Sequence, residues 1–435
     1  MTTFAPSRAF HRLALFAALP ALVPALLAVA PACADTPPLT LEMAVRHALH
    51  RSAAHQAAES ATQASAEAAV QAGQLPDPML KLGIDNLPVE GPDRWSISRD
   101  FMTMRRIGIE QSWVSADKRA ARSARAGQMV ALQQAEAAMH AADTRAQAAQ
   151  AWIQMRHAQR AQAFASELAR HAGDDLAAVQ AAHRGGKASA ADVAQAQLAL
   201  TRAQDGRARA AQEREAARIA LQRWVQVPVD SVDDALPPLN LPAALLEEGQ
   251  VDRQHPLLLK SARATELAES DVAVATAERR PDWSFELAFN QRASPYANMV
   301  SFGVTIPLTL NPAQRQDRSI AEKAAQAAVA RLQQDEARRA VAAELAVLQT
   351  ATKQSSERAA WLREQALPLA RQSVDLAVAA YRGGAGSLSA VFSARRMLVE
   401  QQLQIAELER DAALAWAQLS FPLQGEAAAT QEARP

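Results

Sequence analysis

The chain has 435 residues, with 46 Lys and Arg against 46 Asp and Glu, so its formal net charge is zero. A neutral balance excludes a strongly basic nucleic-acid binder, and a single cysteine excludes a disulfide framework or a thiolate metal cluster within one chain. Apolar residues reach 49% but aromatics only 4%, and so much alanine suits closely packed helices better than a sandwich or a doubly wound sheet.

At the start, Arg8, His11 and Arg12 precede an apolar run from Leu13 to Ala30. A charged region followed by such a run predicts a signal peptide over 1–34, with Ala32-Cys33-Ala34 as the small-residue cleavage site. Acylation of Cys33, as in a lipoprotein, is the alternative, although Ala30-Pro31-Ala32 lacks the usual Leu. No later stretch supplies about 18 uninterrupted apolar residues, so a mature chain seated in a membrane must sit there as strands.

The rest is written twice. Arg184-Gly185-Gly186-Lys187-Ala188-Ser189 recurs as Arg382-Gly383-Gly384-Ala385-Gly386-Ser387. Leu75-Pro76-Asp77 recurs as Arg280-Pro281-Asp282, and Ile107-Gly108-Ile109 as Phe302-Gly303-Val304. The landmarks keep their order at roughly 200 residues' spacing, far beyond a solenoid unit. These matches predict a first repeat over 35–226, a Pro-rich linker over 227–250, a second repeat over 251–423 and a tail over 424–435.

Each repeat opens with an Ala-rich helix, Leu41 to Gly73 or Val251 to Arg279, broken by Pro-Asp. Two strands follow around a turn-rich loop. Leu80, Leu82 and Ile84 alternate with Lys81, Gly83 and Asp85, and Ile107 and Ile109 with Gly108 and Glu110. Trp283, Phe285, Leu287 and Phe289 alternate with Ser284, Glu286, Ala288 and Asn290. Val300 to Leu308 repeats the pattern. Period two with one oily side predicts strands, either lining a soluble core or facing lipid. Export and the aromatics Trp95, Trp113, Trp283 and Tyr296 near strand ends favour lipid. Lys81, Asp85, Glu110 and Glu286 would then face a barrel lumen.

Four strands cannot close a barrel, which needs about eight. Several chains must therefore share one, and geometry alone does not choose three over two or four. Below the strands, long helices run from about Ser115 to His183 and from about Ala313 to Tyr381, about 100 Å each at 1.5 Å per residue. In the second, Val341, Leu345, Leu348, Thr352, Ser355, Ala359, Leu362, Ala366, Leu369, Ser373, Leu376 and Ala380 alternate spacings of four and three. That predicts a left-handed coiled-coil seam, with a kink or restarted turn at Pro368. Glycines after Arg184 and Arg382 let each long helix reverse.

This layout resembles the TolC-type outer-membrane efflux family over about Leu39 to Leu423. The resemblance rests on the two-half plan, the paired strands, the long helices and the two tip turns. It implies an α+β membrane protein in which a homotrimer forms a twelve-stranded β-barrel in outer-membrane lipid, four strands per chain. The barrel would continue into a periplasmic α-helical coiled-coil tunnel that meets a periplasmic adaptor and an inner-membrane RND pump. A finer resemblance, to the heavy-metal Czc- and Cus-type branch, rests on Pro76-Asp77-Pro78-Met79-Leu80, Asp85-Asn86-Leu87-Pro88 and Met102-Thr103-Met104-Arg105-Arg106.

No catalytic signature is present: no Walker loop, no His-Glu-x-x-His, no Gly-x-Ser-x-Gly, no Cys pair. No cofactor and no enzymatic activity are expected. Asp375 resembles by position the acidic ring that constricts family tunnels; Asp174 and Asp175 are weaker candidates. Arg184, Gly185, Gly186, Ser189, Tyr381, Arg382, Gly383, Gly384, Ser387 and Leu388 are expected at the adaptor-facing tip. Met102 and Met104 are soft donors for a thiophilic ion, or simply line a strand. His47, His50 and His55 cluster but read as solvated side chains. The expected role is a passive exit duct for heavy-metal cations. The same duct for organic compounds, or a non-channel periplasmic coiled-coil scaffold, are the alternatives.

Overall fold

A computed structural model describes residues 38–240 and 247–423. The predicted signal peptide with Cys33, the centre of the predicted linker and the C-terminal tail lie outside the described residues.

The predicted first helix is two helices, α1 (Leu41–Arg51) and α2 (Ala53–Ala72). Ser52 divides them because its hydroxyl accepts the His55 N–H at 3.2 Å and starts a new helix. Then come β1 (Met79–Asp85), β2 (Met104–Trp113), α3 (Ala116–Arg184) and α4 (Ala190–Val225). The predicted second Ala-rich helix is also split, into α5 (Glu248–Gln254) and α6 (Pro256–Ala277), because the residue before a proline is held out of the helical region. β3 (Trp283–Arg292), β4 (Met299–Thr305), α7 (Gln316–Trp361), α8 (Leu367–Arg382) and α9 (Leu388–Leu423) complete the order.

Between α7 and α8 lies a π turn, Leu362–Ala366. Pro368 has no N–H for the carbonyl four residues back, and the Leu367 N–H bonds instead to the Leu362 carbonyl. The turn inserts one residue into the helical phase. Up to it the predicted seam holds, with Val341, Leu345, Thr352 and Ala359 buried. Beyond it the seam moves on by one: Ala370 is buried, whereas Leu369 and Leu376 are 65% and 62% exposed. The strict heptad reading through Ala380 is thereby corrected.

The strands form one antiparallel sheet in the order β1-β2-β3-β4. Leu82 faces Ile107, which faces Phe289, and Leu287 faces Phe302. Gly108 sits where a Cβ would come within 2.9 Å of the Ala288 Cβ, so the centre of the sheet admits no side chain there. The predicted fourth strand ran on to Leu308, but pairing stops at Thr305, since Pro307 has no backbone donor. β1 and β4 are thus seven residues long, shorter than the 9–11 expected of a spanning strand.

Helices α2, α3, α6 and α7 pack side by side in that order, α4 runs along α3, and α9 along α7 and α8. The main core gathers Trp152, Ile153, Met155, Leu221, Val225, Val232 and Ala417. The Trp152 indole N–H donates to the Leu39 carbonyl at 2.7 Å, and Leu39 bridges to Val232, so the start of the described chain is tied to the middle of α3. Among the described residues no helix is long and apolar enough to cross a membrane.

Candidate functional site

Period two divides the sheet sharply. Leu80, Leu82, Ile84, Ile107, Ile109, Leu287, Phe289, Val300, Phe302 and Val304 share one face and are 44% to 70% exposed. Trp113 and Trp283 stand opposite each other at its helix-side end. Gln111 is the polar exception among them, and its side-chain amide is occupied, donating to the Pro76 carbonyl at 2.8 Å. An antiparallel sheet in water buries its apolar face on a core; among the described residues no helix packs on this one. Burying such side chains stabilises by about 1.5–3 kcal/mol each, so ten left in water is a large unmet gain.

The opposite face carries Lys81, Asp85, Glu110 and Glu286, which the structure brings together. Lys81 is paired with Glu110 and lies 3.3 Å from Glu286. Arg106, missed in the sequence reading, is paired with Glu286 and lies 3.7 Å from Asp85. Alternation with Gly108 and Glu110 was the signal that could have found it. Two cations offset most of the charge of three carboxylates across three strands, in place of a bare acidic lining. Met104 opens β2 opposite Asp85, and Met299 stands two strands away at the same end of this face. Met102 is in the preceding loop, its N–H held by the Asp100 carboxylate at 2.8 Å. Trp95 and Tyr296 are exposed in the loops at that end.

The two tips are built alike. Gly186 and Gly384 have φ of 72° and 74°, conformations that favour glycine. Lys187 N–H bonds back to Ala182 and Ala385 N–H to Ala380, at 2.8 and 2.9 Å. Gly383 and Gly185 have ordinary negative φ and serve as helix caps. Ser189 caps α4 in a reciprocal box with Asp192. The Ser387 hydroxyl accepts the Ala390 N–H at 3.3 Å. Arg184, Arg382 and Gly384 are exposed. Leu388 is buried, with Tyr381 packed on the same cluster of Val179, Ala196 and Phe392. The side chain of Leu388 therefore holds the two tips together and is not on the surface expected of a partner contact.

Asp375 is exposed and has no partner among the described residues; it opens onto a groove with Glu167, His171 and Arg382. Asp174 is an exposed partner of Arg170. Asp175 behaves differently. It is paired with Arg395 of α9, and the side chains are only 14% and 18% exposed. Burial pushes its carboxyl up while the Arg395 guanidinium pulls it down. A carboxyl raised in the folded state destabilises the fold at neutral pH, and the loss is recovered as pH falls toward the unfolded value of about 3.9. Arg395→Met should deepen this: thermal melts in detergent should show the variant markedly weaker at neutral pH and partly restored on acidification. Adding Asp175→Asn should remove the pH dependence, and a flat profile in the single variant would refute the linkage. His47 and His50 lie on α1, and His55 on α2 stands 3.4 Å from Glu59. No three His, Cys, Asp or Glu converge as a metal site among the described residues.

The sequence also gave no hint of Glu409, 12% exposed in α9, which takes Arg160, Arg363 and, at 3.6 Å, Arg156. Arg363 reaches it from the π turn.

Residues 249–423 match the family model described as outer membrane efflux protein. The TolC-type resemblance seen in the sequence holds there. No curated protein matches the chain. Among solved structures, the chain is similar to a membrane protein from Pseudomonas aeruginosa, with a TM-score of 0.77 and 15% identity over 88% of this chain and 90% of that one. It is similar to CusC, with a TM-score of 0.76 and 16% identity over 88% and 92% of the two chains. VceC, an outer membrane protein of Vibrio cholerae, gives a TM-score of 0.74 and 17% identity over 88% and 96%. At such identities the likeness is one of fold.

Proposed function

We propose, from the match of residues 249–423 to outer membrane efflux proteins, that this chain is the outer-membrane exit duct of a tripartite RND-type efflux system. The observation that carries the reading is the sheet: four strands, an oily face open along its whole width, and two unpaired edges. Open edges are intolerable in lipid, so copies must pool their strands, and three would give a twelve-stranded barrel. Two structural halves support the same plan. The order α1, α2, β1, β2, α3, α4 returns as α5, α6, β3, β4, α7 with α8, and α9. The helices would form the periplasmic tunnel, and the tips would meet a periplasmic adaptor. Export by a cleaved signal peptide fits this placement.

The duct is passive, with energy supplied by the inner-membrane pump. Heavy-metal cations are the proposed cargo, supported by the Czc- and Cus-type sequence resemblance, by the unpaired Asp375, and by Met104 and Met299 beside the polar face. A strain lacking the chain should become hypersensitive to soft metal cations and recover with a plasmid copy. A changed drug profile with unchanged metal tolerance would instead assign organic cargo. A purified chain that passes no current across a planar bilayer would sink the duct itself.

Gly384→Val should stop export while the oligomer still reaches the membrane. No atom crowds the position, so the whole cost is a β-branched residue at positive φ, about 1–2 kcal/mol concentrated in the tip. Gly383→Ala, at ordinary φ, should export normally. Equal export by both variants would remove the tip from the mechanism.

A further inference from the structure

The molecule ends on two sides in related ways. On one side β1 has an unpaired edge and α2 has no buried residue. On the other, β4 has an unpaired edge and α7 leaves Val329 and Leu332 52% and 69% exposed. Between them runs an internal joint, where β2 meets β3 and α3 meets α6.

The residues of that joint recur at the two free sides. Ala116-Asp117-Lys118 opens α3, and Gln316-Asp317-Arg318 opens α7. Pro281-Asp282 precedes β3, and Pro76-Asp77 precedes β1. Gly108 at the centre of β2 corresponds to Gly303 in β4. In the internal joint Lys118, only 4% exposed, donates to the Asp282 carboxylate at 2.6 Å. The matching Arg318 and Asp77 are both exposed and have no partner among the described residues.

We propose that this joint is used twice: the β4–α7 side of one copy docks on the β1–α2 side of a second copy, with Arg318 paired to Asp77 of that copy. The inference rests on the pooled barrel proposed above and specifies how its seams are made. The internal register carries over. Gly108 faces Ala288, seven residues beyond Pro281; Gly83 lies as far beyond Pro76. Gly303 therefore faces Gly83 of the next copy, Phe302 faces Ile84, and Val304 faces Leu82. Apolar meets apolar, so the oily face continues across the seam. A slip of one residue would set Phe302 against polar-face positions.

Both glycines accept a side chain. A Cβ at Gly83 meets only the Asp85 carboxylate at 4.0 Å, and one at Gly303 only the Glu286 Cβ at 3.7 Å. Directly opposed positions lie about 4.5–5.5 Å apart, within disulfide reach, while diagonal ones lie about 7–8 Å apart. In membranes carrying the full chain, Gly83→Cys with Gly303→Cys should oxidise to a covalent ladder on a non-reducing gel. Gly83→Cys with Ser301→Cys should yield little. Stronger cross-linking by the offset pair would overturn the register. So would its absence from both in a chain still oligomeric by native mass spectrometry, and the pooled barrel would survive either result. A monomer in detergent would sink both readings. Asp77→Arg and Arg318→Asp should each lower the heat resistance of the oligomer in detergent, and the double swap should restore it. A swap no better than the singles would remove the ion pair.

Discussion

Ile109→Arg should abolish the assembled protein in the outer-membrane fraction. Ile109 sits mid-strand in β2, between Leu80 and Leu287, and is 57% exposed on the oily face. An arginine at bilayer midplane costs about 2–4 kcal/mol in a barrel wall, and each copy in a shared barrel would carry that cost. In a water-soluble sheet the same change at an exposed position would be nearly neutral. Ser301→Arg, on the polar face, should assemble normally and alter only single-channel conductance. Fractionation and heat-modifiable gel mobility measure the contrast. Normal recovery of Ile109→Arg would show that lipid does not cover this face.

Glu409→Ala should cost about 3–5 kcal/mol, since removing one member of a buried charge cluster leaves the others uncompensated. Arg156 is the most exacting of them, at 7% exposure. Its burial, with Arg160 beside it, already disfavours the charged guanidinium. The remaining acid, Asp234, is two-thirds exposed and 3.5 Å away. Chemical denaturation followed by helical circular dichroism would measure the loss. A change below about 1 kcal/mol would mean that water screens the cluster as it does a surface pair. Glu409→Gln, which keeps the shape and some acceptor capacity, should fall between.

Much of this was legible in the sequence because it obeys a period. Alternation in β1 to β4 named the two faces of the sheet, and the Arg-Gly-Gly repeats placed both reversals. The 3.5-residue seam found the buried side of α7 as far as Ala359. What escaped depends on single residues acting at a distance. Ser52 and the His255-Pro256 pair cut helices that composition alone would run together. Pro307 ended β4 early. The ion pairs Lys118–Asp282 and Arg395–Asp175 join residues 164 and 220 positions apart, and no local pattern announces such partners. Leu388 is expected at the adaptor-facing tip from its place beside the turn, yet its side chain folds inward.

The π turn has a consequence for torsion. Each added residue rotates a helix by about 100°, so α8 is keyed to its surroundings at a different angle from α7 although one continuous rod carries both. The upper part can seat in the row of helices beneath the sheet while the lower part answers to α9 alone. Closing Leu362–Ala366 into plain α-helix with no residue removed would re-clock the lower shaft, swinging Leu369 and Leu376 inward and turning Ala370 and Val374 to solvent. The second tip is therefore aimed by a spacer in the middle of the helix as well as by its own glycines.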